Sequence, residues 1–155
     1  MIVIKSRCLI ILALIFIVGC ESDNTPTTTA PASETAFSIG TNTQCSASHS
    51  LVGTSVEMTS HSHNVQGTFT IIDDCTIEFT QFSYDGGGPA VYFYTGNNGD
   101  YAANDAVRIS SLLTGTAFSN DTVRLVLPNS VTLDGFNGVS VWCVDFAANF
   151  GDARF

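Results

Sequence analysis

Three thiols outside the first twenty residues, Cys45, Cys75 and Cys143, hold most of the reactive chemistry in this chain. In an oxidising compartment an odd set of three predicts one disulfide and one free thiol. Cys75, in "CTIEFTQF", and Cys143, in "GVSVWCVDFAANFG", both stand among apolar residues, whereas Cys45 lies in polar sequence. A Cys75–Cys143 bond across a core is therefore favoured over Cys45–Cys75. Such a bond either staples the fold or, if readily reduced, serves thiol redox. No basic residue flanks Cys143; its neighbours are Trp142, Val144 and Asp145. An acid and apolar surroundings raise a thiol pKa, which argues against a free nucleophile. Thiolate ligation of haem by Cys143 is chemically open, but no CxxCH attachment motif accompanies it, so the cofactor stands as haem or none. Trp142 either lines a cofactor or electron path or packs a core.

Other groupings carry less. His61 and His63 in "SHSH" are two apart, with His49 near in sequence. On a regular strand they would share a face and could share a metal, but no third ligand follows at a fixed spacing, and no metal ligands are assigned. Asn98, Asp100 and Asp105 in "GNNGDYAAND" supply oxygens of the kind calcium takes, at a spacing that matches no established calcium loop. "DGGGP", Asp85 to Pro89, lacks the lysine and the helix of a phosphate loop and reads as a tight turn with positive φ. No nucleophile-elbow sequence supports a hydrolase.

The elements that must position these residues are strands. Short segments rich in Val, Ile, Phe, Tyr and Thr alternate with Gly, Asn, Asp and Pro, and no helical period stands out. The fold class is all-β, a sandwich in preference to a barrel. "QGTFTII" and "CTIEFTQF" form a hairpin around Asp73-Asp74, and Phe82, out of phase with Phe79, marks either a bulge or the end of the strand. In "TVRLVLP", Val123, Leu125 and Leu127 share the inner face and Pro128 ends the strand. Val139, Val141 and Cys143 lie on one face of their strand and Trp142, Val144 and Phe146 on the other, the pattern of a central strand covered on both sides.

The first residues are a targeting signal. Lys5 and Arg7 precede the apolar run Leu9 to Val18, too short to span a membrane, and Gly19-Cys20 follows. The segment resembles a bacterial lipoprotein signal. That resemblance implies cleavage after residue 19, lipid attachment at Cys20 and a place in the cell envelope, with Glu21 favouring the outer membrane. Residues 20–43, with "DNTPTTTAPASET", form a flexible tether, and residues 44–155 form one domain. Loss of the signal leaves three basic residues, Arg108, Arg124 and Arg154, against fourteen acids, a formal charge of −11. Phosphate neutralisation needs clustered Lys and Arg, so nucleic acid is excluded as a partner.

"HNVQGTFTI", "FSYDGGGPAVYFYTG", "VRLVLP" and "GVSVWCVDFAANFG" occur in the order and at about the spacing of the electron-transfer DM-thirteen domain, which the chain resembles from His61 to Phe155. The resemblance implies a β-sandwich whose cysteine, here Cys143, works in redox chemistry, bare or by holding a prosthetic group. Relatives place this domain beside DOMON and cytochrome b-type domains, which implies a redox protein partner. Ala90 after Pro89 replaces an acid of that pattern. The expected function is an envelope-anchored electron-transfer or thiol-redox module with Cys143 active, Cys75 its partner and Trp142 shaping the site. The rival expectation is a non-catalytic binding or adhesion module with a structural disulfide, in one version a calcium-binding one.

Overall fold

The structure is a computed structural model and describes residues 36–155. The signal, Cys20 and the tether as far as residue 35 lie outside the described residues. Among the described residues nine strands follow in order: β1 Ser55–Glu57, β2 Thr59–Ser60, β3 Gln66–Asp73, β4 Thr76–Tyr84, β5 Val91–Gly96, β6 Val107–Arg108, β7 Phe118–Val126, β8 Gly138–Cys143 and β9 Ala148–Arg154. A single 3-10 turn, Leu133–Gly135, precedes β8. The strands form two sheets, β1-β3-β4-β7 and β2-β9-β8-β5-β6, with antiparallel pairing throughout. The chain is thus an all-β sandwich.

Alternation explains the core. Phe69, Ile71, Ile77, Phe79, Val123 and Leu125 from the first sheet meet Val91, Phe93, Val139, Val141 and Cys143 from the second, all buried. Phe79 of β4 stacks on Phe93 of β5 with ring centroids 4.3 Å apart, and Phe82 lies 5.3 Å from Phe93, so aromatic contacts bridge the layers. The phase break at Phe82 is a bulge and not the end of the strand: the β4–β7 register shifts between Phe79 and Phe82, and Gln81 takes φ 53°. The shift lets Phe79 and Phe82, three apart, both enter the core.

The β3–β4 hairpin forms as expected, but its turn is Asp74-Cys75, so Cys75 sits in the turn and not on the strand. β8 departs from expectation in where it ends. It is central in its sheet and covered on both faces as expected, with outward-facing Ser140 buried and Trp142 half-buried, but Val144 and Phe146 lie beyond the strand in the exposed turn into β9. Apolar residues in that turn extended the apparent strand pattern past its end.

Contacts to the sandwich begin at Phe37. Its ring packs edge-on against Phe118, Ser38 bridges Ser110, and the Gly40 amide donates to the Val126 carbonyl. The segment after β6 runs beside β5, since Ile109 donates to Phe93 and Leu113 to Val91. Residues 37–40 therefore strap the edge of one sheet to the edge of the other.

Candidate functional site

Cys143 closes β8 in register with Val91 of β5 and Ala148 of β9. It is the free cysteine among the described residues, and its exposure is 0%. Inward alternation from Val139 and Val141 puts the sulfur in the core, as the sequence predicted, while Trp142 faces outward.

Tyr84, the last residue of β4, is the titratable neighbour on the opposite sheet. Its hydroxyl donates to the Gly87 carbonyl. Burial pushes the phenol up to about 12, and negative charge at Asp85 and at an ionised Cys143 adds to the shift. Beyond it lies the Asp85–Pro89 turn, with Gly86 at φ 80° and Gly88 at φ 91°, the positive values its glycines imply. A side chain at Gly88 would place Cβ 2.8 Å from Val91 and 2.9 Å from Phe150, so the turn packs directly over this end of the sandwich. The Gly87 amide donates to Asp85 at 2.8 Å, and His63 Nδ1 lies 3.0 Å from the same carboxylate. The amide bond and then the histidine hold the Asp85 carboxyl below its usual range. The His63 ring sits 4.1 Å from Phe150 and 6.4 Å from Tyr84. His63 and Asp85 thus gather beside Tyr84, the phenol that neighbours the sealed thiol.

Cys75 is not the partner of Cys143. It bonds to Cys45, with Cα atoms 5.5 Å apart. The reason is β4 itself: Cys75 immediately precedes that strand and Tyr84, near Cys143, ends it, so the nine-residue strand separates the two cysteines by roughly 25 Å. Shared strand faces placed both thiols toward a core without fixing which end of it each occupies. Cys45, Asp73, Asp74 and Cys75 hold potential ligand atoms within 4.8 Å of one another, but the two sulfurs are bonded together, and Asp73 and Asp74 accept from the Cys75 and Ser46 amides.

The histidine pair separates as well. β2 ends at Ser60, and His63, at φ 56°, turns to Asp85; His61 Nε2 instead lies 2.8 Å from Asp152. The Asn98–Asp105 loop spends its oxygens internally: Asp105 accepts from Asn97, Asp100 from the Ala102 amide, and Asn98 engages Asn137.

One cluster escaped the sequence reading. Asp152, on β9, is 2% exposed and receives the Tyr101 hydroxyl at 3.0 Å, His61 at 2.8 Å and Arg154 Nε at 2.5 Å. Burial opposes its charge, but hydrogen bonds from Arg154, His61, Tyr101 and Asn149 outweigh it and lower the carboxyl pKa. The same environment raises the Tyr101 phenol, burial first and the Asp152 charge next, and raises the Arg154 guanidinium through its bond to Asp152. An acid inside the strand "ANFGDAR" was the available signal, since a charge there needs a partner.

A haem on Cys143 does not fit this packing. The sulfur is enclosed by paired strands on either side and by the opposing aromatic layer, and an axial ligand there would require the sheets to separate.

Comparison with known proteins follows these residues. A stretch of 95 residues is 41% identical to Protein Skeletor, isoforms B/C, of Drosophila melanogaster, covering 58% of this chain and 12% of the relative. Isoforms D/E of that protein match equally, over 6% of their length. A cytochrome b561, DM13 and DOMON domain-containing protein of Arabidopsis thaliana is 32% identical over 110 residues, covering 70% of this chain and 12% of the relative. The chain thus spans about an eighth or less of the curated relatives it matches. No solved structure matches it. The family described as Electron transfer DM13 matches residues 57–155, the span that holds β2 to β9 with Tyr84 and Cys143, and the chain belongs to that family.

Proposed function

We propose that the protein is an envelope-anchored electron-transfer module in which Cys143 is the redox group. The observation that carries this reading is the division of the thiols. Among the described residues Cys45 and Cys75 consume each other, which leaves Cys143 sealed in the core, and Cys143 is the cysteine to which the resemblance assigns the redox role. Burial keeps that sulfur from thiol exchange with an outside partner, so the proposed step is one-electron oxidation of the thiol to a thiyl radical, its electron passing to a redox-protein partner and its proton leaving the sulfur. The peptide bond between Trp142 and Cys143 joins a half-exposed indole to the buried sulfur and supplies a short route to the surface. Cys75 has no part in this step; its role is structural.

The anchor belongs to the same proposal. A lipid on Cys20 would hold the domain at the bacterial envelope, in the outer membrane on the strength of Glu21, within reach of a membrane or redox-protein partner. The decisive experiment is voltammetry of the detergent-solubilised full chain beside Cys143→Ala. A redox wave present in the native protein and absent from the variant supports the reading; identical traces overturn it.

A second reading is a binding module. It is favoured by the Cys45–Cys75 bond, which closes a turn at the sandwich edge as a staple does. Function insensitive to Cys143→Ala would select it.

A further inference from the structure

The solvent face of the five-stranded sheet is aromatic where an antiparallel sheet facing water should be polar. Tyr92 and Tyr94 of β5 lie with ring centroids 6.4 Å apart, and Trp142 stands beside them on β8, in register with Tyr92. The loop after β5 folds Tyr101 over the same face, 6.1 Å from the indole. Between them lies an open cavity of about 270 Å³ lined by Tyr94, Tyr101, Trp142, Val144 and a group of alanines that includes Ala103 and Ala106.

Its aromatic wall is fixed before any ligand arrives. Tyr101 is 1% exposed, and its hydroxyl is tied to Asp152, which His61 and Arg154 hold in turn. Gly138 and Gly96 clear its seat: a Cβ at either would lie 2.7 Å from the tyrosine, at the hydroxyl and at Cδ1 respectively. The buried carboxylate network therefore positions a ring at the cavity. Such preorganisation lowers the ordering cost of binding.

The chemistry of the lining selects the occupant. No charged side chain lines the cavity, although the chain is strongly acidic, so the site matches a neutral molecule. Ring faces and small apolar side chains favour a flat ring system, and the volume takes about two fused rings. Tyr94 and Trp142 each carry one polar hydrogen, an O–H and an N–H, that no other described residue engages, and both residues line the cavity. We propose that the Tyr94–Tyr101–Trp142 cavity binds a neutral planar ring compound bearing carbonyl oxygens, of the quinone class. Binding is independent of any redox role for Cys143, which faces the other side of the sheet.

Trp142 is the chain's only tryptophan, so its fluorescence reports the site directly. The test titrates the detergent-solubilised full chain with a dimethylnaphthoquinone substituted at both quinone-ring carbons, to which no thiol adds. Saturable quenching is expected, abolished by Ala103→Phe or Ala106→Phe, which fill the cavity from partly exposed loop positions, and unchanged in Cys143→Ala. By calorimetry Trp142→Phe should bind about five- to tenfold more weakly. Quenching that rises linearly and equally in native protein and a folded filled variant would mean collision only and overturn the proposal. Tighter binding of a trimethylanilinium ion than of the quinone would overturn the neutral-carbonyl assignment.

Discussion

Cys75 and Tyr84 flank the two ends of β4, the first just before the strand and the second its last residue. That one strand therefore holds apart the disulfide and the neighbourhood of the free thiol, and the protein's two sulfur chemistries act at opposite ends of the sandwich. A change at one end should leave the other intact, which makes each separately testable.

Removing the disulfide by Cys45→Ser with Cys75→Ser reopens a 30-residue loop. The chain-entropy argument sets the loss at about 3–4 kcal/mol. Denaturant unfolding should show this loss, while the voltammetric behaviour attributed to Cys143 persists. If the double variant lost the redox wave while still folded, the structural role of Cys75 would be wrong.

Asp152 should make the fold acid-sensitive. Its carboxyl pKa is lowered on folding, so its contribution is complete at neutral pH, above the unfolded value, and is lost as pH falls through the folded value. Asp152→Ala leaves the buried Tyr101 hydroxyl without its acceptor, while Arg154 stays solvated, and should cost about 1–3 kcal/mol at pH 7. Melting curves from neutral to acidic pH should converge for native protein and variant; a constant gap would refute the linkage.

Tyr84 gives the opposite dependence. Its phenol is raised to about 12 by burial, by Asp85 and by Cys143. Its contribution is complete below the unfolded value near 10 and is lost as pH rises through about 12. Phenolate absorbance should place Tyr84 earlier in Cys143→Ala than in the native chain, because one source of negative charge is gone. An unmoved titration would show that thiol and phenol do not sense each other.

Cys20→Ser should release the protein from the membrane fraction into the soluble one, checked by fractionation and immunoblotting. Retention of the variant would rule out a lipid on Cys20 as the anchor.

How far the sequence reached depended on whether the information was local. Alternation in "TVRLVLP" and "QGTFTII" showed which side chains face inward, and the phase break at Phe82 revealed an irregularity in its strand, because both depend on neighbours along one strand. The inward turn of Cys143 was legible for the same reason. The disulfide was not: facing the core says nothing about position along it, and Cys45 reaches Cys75 through a loop with no periodic pattern. His61 and His63 parted because β2 ends at Ser60 and the chain turns through His63 and Asn64, both at positive φ. The Asp152 cluster joins β2's flank, the loop after β5 and β9, and strand order alone could bring those together.

The strap at Phe37–Gly40 has a mechanical meaning. It bonds to Val126 on one sheet edge and, through Ser38 and Phe37, to Ser110 and Ser111 beside the other. A pull transmitted along the preceding chain enters the domain at this seam, loading hydrogen bonds from both sheets together before it reaches any single strand. The sandwich therefore meets tension where its two layers are already laced to each other.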